Sequence, residues 1–183
     1  YERSAEYYFF SCGCTQSYTT IKHLKGDLAK VRPIVMATVP RLWEAIKDGF
    51  DDALKGMPLN RQRLLRTMLR NSSAFKLSLR TFRTLLLEPV PLHKRAFAGL
   101  EIVFRWPLHY IASYLFWQKV LKKLCGGELL YPINGGGALA PHVDAFFEAL
   151  GVELLVGYGL TETSPVVSCR RPWRNIRGSS GYP

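Results

Sequence analysis

Two glycine-bearing loops contain residues whose types suit nucleotide chemistry. The first loop is the run of three glycines at 135–137, and the second loop is GYGLTET at 157–163. In the first loop a flat ring can pack against bare peptide planes, whose amides and carbonyls read its edge. In the second loop Tyr158 can stack on that ring, and Thr161 can donate a hydrogen bond to a phosphate oxygen. Glu162 is a hard oxygen ligand of the kind that binds Mg²⁺ between phosphates.

The elements around these loops predict that they face each other. Residues 128–134 and 152–157 have the apolar character of short buried strands, and residues 141–150 between them have apolar side chains at helical spacing. A strand, a helix and a second strand in this order form a βαβ unit with parallel strands. Since ligands bind beyond the carboxyl ends of such strands, both loops are expected at one binding edge. The alternative is that both are tight turns and that Glu162 is a surface acid.

The rest of the chain indicates an α/β fold with a mostly parallel sheet flanked by helices. Residues 33–39 form a continuous apolar run rich in β-branched side chains, which favours a buried strand ended by Pro40. Residues 41–54 and 105–127 have the spacing of helices. Residues 60–125 form a basic helical block, which Pro89, Pro91 and Pro107 are expected to cut into pieces. Residues 12–21 are predicted to form a turn and a short strand.

The net charge of +11 is concentrated in one part of the chain. Residues 55–123 contain 14 Lys or Arg and two acids, whereas the remainder is nearly balanced. Such a block attracts anionic lipid, nucleic acid or an acidic protein, and a merely solvated helical face is the plain alternative. Nucleic acid is not expected, because no binding motif accompanies the charge. Aromatic side chains at 108–121 either sit in a membrane interface or pack into the core.

The compartment is expected to be reducing. The opening residues have no basic leader followed by an apolar run, and no stretch reaches the length of an uncharged spanning helix. The four cysteines include no CxxC pair, which favours buried thiols in a cytosolic protein over a disulfide framework.

Four stretches resemble the adenylate-forming superfamily, which includes acyl-CoA synthetases, luciferases and peptide-synthetase adenylation domains. YGLTETSP at 158–165 resembles its signature, and INGGGALAP at 133–141 resembles its preceding Ser-Gly-Gly-Ala-Pro-Leu loop. RPIVMATVPRLWEAI at 32–46 and YER at 1–3 resemble segments of the long-chain fatty acyl synthetase branch. The long basic aromatic segment is similar to that of cyanobacterial and plastid acyl–acyl carrier protein synthetases. The resemblance implies an AMP-binding domain, of which residues 57–123 are a helical insert and residues 128–183 the nucleotide-binding part.

The resemblance also implies roles for individual residues. Thr161 and Glu162 are the implied catalytic residues, the first contacting the α-phosphate and the second binding Mg²⁺. The implied ATP- and AMP-binding residues line the adenine, stack on it or shape the pocket around the α-phosphate. They are Gly135, Gly136, Gly137, Gly157, Tyr158, Gly159 and Thr161.

The implied reaction is ATP-dependent activation of a long-chain fatty acid to an acyl-adenylate, followed by transfer to acyl carrier protein or coenzyme A. ATP and Mg²⁺ are the implied cofactors, and the helical insert is expected to hold the protein peripherally on an anionic membrane surface. Gly137 and Ala138 depart from the family pattern, in which Ala and Pro are commoner. The phosphate loop, the ribose-binding Asp and the catalytic Lys of a small C-terminal domain are expected outside this chain, which would be inactive alone. The alternative is a catalytically silent interaction module that keeps a nucleotide-binding fold.

Overall fold

The computed structural model describes residues 2–20, 22–163 and 165–183, and these form seven α-helices and four short strands. Tyr1 and Ser164, which belong to two of the motifs above, lie outside the described residues, as does Ile21. The helices are α1 (Glu2–Ser11), α2 (Leu24–Val31), α3 (Pro40–Lys55), α4 (Leu59–Phe82), α5 (Leu92–Ala112), α6 (Gln118–Cys125) and α7 (Pro141–Leu150). The strands are β1 (Val35–Thr38), β2 (Tyr131–Asn134), β3 (Leu155–Tyr158) and β4 (Ser168–Cys169).

The sheet has the strand order β1-β2-β3-β4 and is mostly parallel, as predicted. β1 pairs with β2 and β2 with β3 in parallel, whereas β4 returns antiparallel beside β3. The predicted βαβ unit is confirmed as β2, α7 and β3. The strand predicted within residues 12–21 is wrong for the described residues, because 14–20 carry no strand pairing.

The core forms where α3 and α7 cover the sheet. Pro40 opens α3, where its missing amide costs no hydrogen bond. Three residues later Trp43 is fully buried, and its indole N–H donates to Thr38 at 2.7 Å. Its ring meets Phe147 of α7 edge to face, with centroids 4.9 Å apart. The strand end that precedes α3 is therefore fixed by the same side chains that build the core.

Helix α7 is buried on its polar side as well as on its apolar side. Glu148 accepts two hydrogen bonds from the Arg80 Nε of α4, at 2.7 and 2.8 Å, and also pairs with Arg177. One turn earlier, Asp144 pairs with Arg170 at 2.7 Å. The side chains of Arg80, Glu148, Arg170 and Asp144 are each at most 4% exposed. Because buried charges need partners, these pairs fix α4 and the C-terminal segment against α7.

The helical insert folds as a hairpin of α4 against α5, and α5 continues through a π-helical turn at Ser113–Trp117 into α6. The prediction that prolines cut the block is confirmed for Pro89 and Pro91, which lie between α4 and α5, and wrong for Pro107, which lies inside α5. The backbone stays helical at Ser113 and Gln118, so residues 92–125 form one long helix with a local π turn.

A polar clasp, which consists of Ser72, His109 and Trp117, holds the π-helical turn against α4. The hydroxyl of Ser72, which is fully buried, accepts from the Trp117 indole at 3.0 Å and contacts His109 Nδ1 at 2.9 Å. The His109 ring stacks on Phe75 with centroids 4.4 Å apart. Burial, with a smaller effect from Lys76, lowers the pKa of His109 to about 4, so the imidazole is neutral at physiological pH.

Among the helices of the described residues, none combines the length and the apolar character that a membrane span requires.

Candidate nucleotide-binding site

The two loops leave neighbouring parallel strands at the same edge of the sheet. Asn134, the last residue of β2, is in register with Val156 of β3. The first loop begins one residue after Asn134, and the second loop begins one residue after Val156. The two loops therefore start side by side, at the edge where ligands bind in open α/β sheets.

The first loop is held close to the start of α3. The amide of Gly135 donates to the carbonyl oxygen of Thr38 at 3.0 Å, which extends the pairing of β1 and β2 by one residue. Gly136 has a φ of 76°, in the left-handed region that favours glycine. A Cβ added to Gly137 would lie 3.4 Å from the Pro40 ring. Of the three glycines, Gly136 is thus the one whose backbone conformation most requires the residue type.

The second loop is partly strand. Gly157 and Tyr158 are the last two residues of β3, and they pair with Cys169 and Ser168 of β4. The chain then turns sharply, and the Val167 amide donates back to the Tyr158 carbonyl at 2.9 Å. The prediction of a free glycine loop from 157 is therefore wrong by two residues, since the turn begins at Gly159.

Gly159 is the position with the least space. A Cβ built on it would lie 1.8 Å from the carbonyl oxygen of Pro165 and 2.9 Å from the Cα of Val166. Both neighbours are backbone atoms, so no side-chain rotation can relieve the clash. This turn requires glycine, because the two arms of the loop touch through their main chains.

The side chains that the sequence assigns to chemistry point to solvent. Thr161, Glu162 and Thr163 form one turn of 3₁₀-helix and all are exposed. Thr163 closes the turn, since its hydroxyl accepts from the Leu160 amide at 3.0 Å and donates to the Leu160 carbonyl at 2.9 Å. Among the described residues no hydrogen bond or ion pair engages the side chains of Thr161 or Glu162. Both are thus available to a ligand.

Tyr158 completes the set at this edge, with its side chain 48% exposed. All the predicted nucleotide-binding residues therefore belong to the ends of β2 and β3 or to the turns that follow them. Two cavities lie elsewhere, lined by α4 and the C-terminal segment, and they include none of these residues.

The residues at this edge fit the nucleotide and the metal that the family implies. Gly136 and Gly137 leave bare backbone at the first loop, and the half-exposed Tyr158 is the last residue of the neighbouring strand β3. Glu162 is an exposed carboxylate, and no cluster of three metal-binding side chains occurs among residues 2–20, 22–163 and 165–183. One carboxylate suffices for Mg²⁺ when phosphate oxygens and water supply the other ligands. Glu162 and Thr161 would hold such a metal-bound phosphate group.

Sequence reasoning missed the residues that hold the second loop in place. Thr163 closes the 3₁₀ turn, and the Arg170 amide donates to the Val156 carbonyl at 2.9 Å, which fixes the strand before the loop. Asn134 is also fully buried, and neither its Nδ2 nor its Oδ1 has a partner among the described residues. The Thr-x-Thr spacing was visible in the sequence, but only the folded turn shows that the hydroxyl of Thr163 is the one that bonds the main chain of Leu160.

Comparison with known proteins assigns the chain to a family. The family model described as "AMP-binding enzyme" matches residues 1–183, and the chain belongs to that family. A probable acyl-activating enzyme 16, chloroplastic, of Arabidopsis thaliana is 38% identical over all of this chain and 26% of the relative. The long-chain-fatty-acid–acyl-carrier-protein ligase AEE15, chloroplastic, of the same plant is also 38% identical, with the same coverage.

A more distant relative acts with a different acceptor according to its name. The long-chain-fatty-acid–CoA ligase 2 of Schizosaccharomyces pombe is 32% identical over 92% of this chain and 21% of the relative. The chain spans about a quarter of the length of the two Arabidopsis relatives. No solved structure is significantly similar to the chain.

Proposed function

We propose that the protein containing this chain activates a long-chain fatty acid with ATP and transfers the acyl group to a thiol. The observation that carries the proposal is the placement of the two loops at the ends of adjacent parallel strands. The membership of the AMP-binding family supports it, as do relatives named as fatty acid ligases for acyl carrier protein and for CoA.

In this proposal the first loop and Tyr158 hold the adenine. Gly135, Gly136 and Gly137 present main-chain groups to the base, and the Tyr158 ring stacks on it. Gly157 and Gly159 keep the second loop narrow, so that the acyl carboxylate can approach the α-phosphate beside it. These roles use what the structure provides, which is bare backbone in one loop and an exposed ring in the other.

Thr161 and Glu162 act on the phosphates. A carboxylate oxygen of the fatty acid attacks the α-phosphorus, the bond from that phosphorus to the bridging oxygen breaks, and pyrophosphate leaves. Negative charge spreads over the phosphate oxygens during this step, and its stabilisation is the main catalytic task. Thr161 donates a hydrogen bond to an α-phosphate oxygen. Mg²⁺ held by Glu162 would supply positive charge to the same group.

The second half-reaction consumes the acyl-adenylate. The thiol sulfur attacks the acyl carbonyl carbon, its proton is lost, and AMP leaves. Acyl carrier protein is the acceptor favoured here, since a relative named for that acceptor is 38% identical and one named for CoA is 32% identical. An acidic carrier protein would also be drawn to the basic helical insert.

We also propose a peripheral membrane location through residues 57–123, in one AMP-binding domain whose residues 128–183 form the nucleotide-binding part. The exposed bases of α4 support this, because anionic headgroups attract such a face. Four of them are Arg61, Arg63, Arg66 and Arg70. Reversal of those four charges should release the protein from anionic vesicles.

The direct test is acid-dependent exchange of pyrophosphate into ATP by the full-length protein. We expect exchange that requires a long-chain fatty acid and Mg²⁺, followed by acyl transfer when thiols are added. Acyl carrier protein and CoA supplied in competition show which acceptor is preferred. A full-length protein that folds and binds AMP but shows no exchange with any fatty acid would contradict the proposal and favour a catalytically silent interaction module.

A further inference from the structure

The outer side of the long helix at 92–125 carries an apolar face that no other described element covers. We define the outer stripe as the exposed side chains of residues 96–118, and each is apolar or aromatic except for one glutamine at the end. They are Ala96, Phe97, Leu100, Val103, Phe104, Trp106, Pro107, Tyr110, Ile111, Tyr114, Leu115 and Gln118. Exposure reaches 82% at Phe104 and 65% at Tyr114. A face of this kind usually marks an interaction site.

The charges of this segment are turned away from the outer stripe. Glu101 and Arg105 are its only acidic and basic residues between 96 and 118, and they pair with each other at 3.7 Å. Glu101 also accepts a 2.5 Å hydrogen bond from Ser78 of α4. The two charges are thus engaged with each other and with α4, which leaves the outer stripe free of charge over about 33 Å of helix.

Basic residues stand at both ends of the outer stripe. His93 and Lys94 precede it and are exposed, while Lys119, Lys122 and Lys123 follow it on α6 and are exposed as well. The arrangement combines an apolar strip that contains Trp and Tyr with cations at its two ends. Tyr and Trp prefer the headgroup level of a bilayer, and Lys can reach the anionic phosphates.

We propose that the outer stripe lies in the plane of a bilayer, with its aromatic side chains inserted between anionic lipid headgroups. The helix does not meet the requirements for a span, which fits an interfacial position. This inference rests on the proposed membrane attachment of residues 57–123 but assigns the insertion to α5 rather than to the arginines of α4. An acidic protein is the poorer occupant, because it would be matched by a basic face and not by an uncharged one.

The test uses the full-length protein and vesicles of phosphatidylcholine, with and without phosphatidylglycerol. Phe104→Glu places a charge in the middle of the outer stripe, and Leu130→Glu is the matched control at a 67% exposed residue outside residues 57–123. We expect Phe104→Glu to lower the partition coefficient at least about tenfold on both vesicles, also at high salt, and Leu130→Glu to change it by less than about twofold.

Other outcomes separate the alternatives. Vesicle binding that Phe104→Glu leaves unchanged, or binding that high salt abolishes in the unmutated protein, would overturn insertion while leaving the electrostatic attachment. Failure of the unmutated protein to bind any vesicle would overturn both. A dimer in light scattering that Phe104→Glu converts to a monomer would assign the outer stripe to a second copy. Unfolding by Phe104→Glu but not by Leu130→Glu would assign it to another part of the same chain. Pyrophosphate exchange without lipid tests the ligase independently.

Discussion

The sheet edge with the two loops and the helical insert expose opposite kinds of surface. At the sheet edge the exposed groups include main chain, the ring of Tyr158, the hydroxyl of Thr161 and the carboxylate of Glu162. On the long helix the exposed groups are large apolar side chains, and most of the main chain is engaged in helical hydrogen bonds. The first surface can recognise a small polar ligand through the placement of its polar groups. The second can bind only by burying its apolar side chains against another apolar surface.

The two regions are nevertheless joined in folding. Arg80 of α4 pairs with Glu148 of α7, and α7 connects the strands that carry the loops. A ligand site and an attachment face can therefore be separable in function while sharing one cooperative structure. The substitutions below test that separation, from the largest expected effect to the smallest.

Gly159→Ala should have the largest effect on the sheet edge. The added Cβ meets the Pro165 carbonyl at 1.8 Å, so the second loop must move. Displacement of catalytic groups by about 1 Å costs about a hundredfold in rate, and we expect at least that loss in pyrophosphate exchange. Gly49→Ala is the control, because nothing lies within 4 Å of its added Cβ. Exchange within twofold of the unmutated protein would show that the turn does not shape the site.

Glu162→Gln should lower exchange by about a hundredfold at low Mg²⁺ and less at high Mg²⁺, since the amide is a weaker ligand without charge. Glu153→Gln is the control, because it removes an exposed carboxylate outside the second loop and should leave the exchange rate unchanged. The measurement is exchange rate against Mg²⁺ concentration. A Mg²⁺ dependence that matches the unmutated protein would rule out Glu162 as a metal ligand.

Glu148→Gln should destabilise the whole unit by about 3–5 kcal/mol, because Arg80 is left as a buried cation without its partner. Denaturant unfolding measures this change. The control is Asp52→Asn, which removes an exposed partner of Lys55 and should leave the midpoint unchanged. If Glu148→Gln unfolds no more easily than Asp52→Asn, the buried pair does not join the two regions.

Tyr158→Ala should raise the KM for ATP about tenfold with a smaller change in kcat, as expected for loss of stacking on a base. Tyr158→Phe should keep the ring and behave like the unmutated protein. Steady-state kinetics at saturating fatty acid would measure both constants. An unchanged KM in the alanine variant would place the adenine elsewhere.

The sequence predicted the strands and the helix of the sheet edge more accurately than the structure of residues 57–123. Strands flanked by glycine and proline leave local signals, so β2, α7 and β3 could be placed within three residues. The turn at Gly159 was placed two residues early, because the pairing of Tyr158 with Ser168 depends on a distant strand.

In the helical insert, periodicity could not decide which aromatic residues face the core. Trp117 is fully buried and Trp106 is 55% exposed, although both occur in one apolar run. The π turn between them shifts the helical register, and its position depends on the clasp with Ser72, which lies 45 residues from Trp117 in the chain. Pro107 was predicted to interrupt the helix from its low helix propensity. Packing against α4 stabilises a helix that contains it, because tertiary contacts override propensity.

Hydrogen–deuterium exchange of the full-length protein with and without AMP tests most directly whether the two loops form one nucleotide site. The account predicts that AMP slows exchange in peptides that cover residues 135–140 and in peptides that cover residues 157–163, with no change in peptides from α5. Slower exchange in only one of the loops, or in neither while AMP is bound, would contradict it.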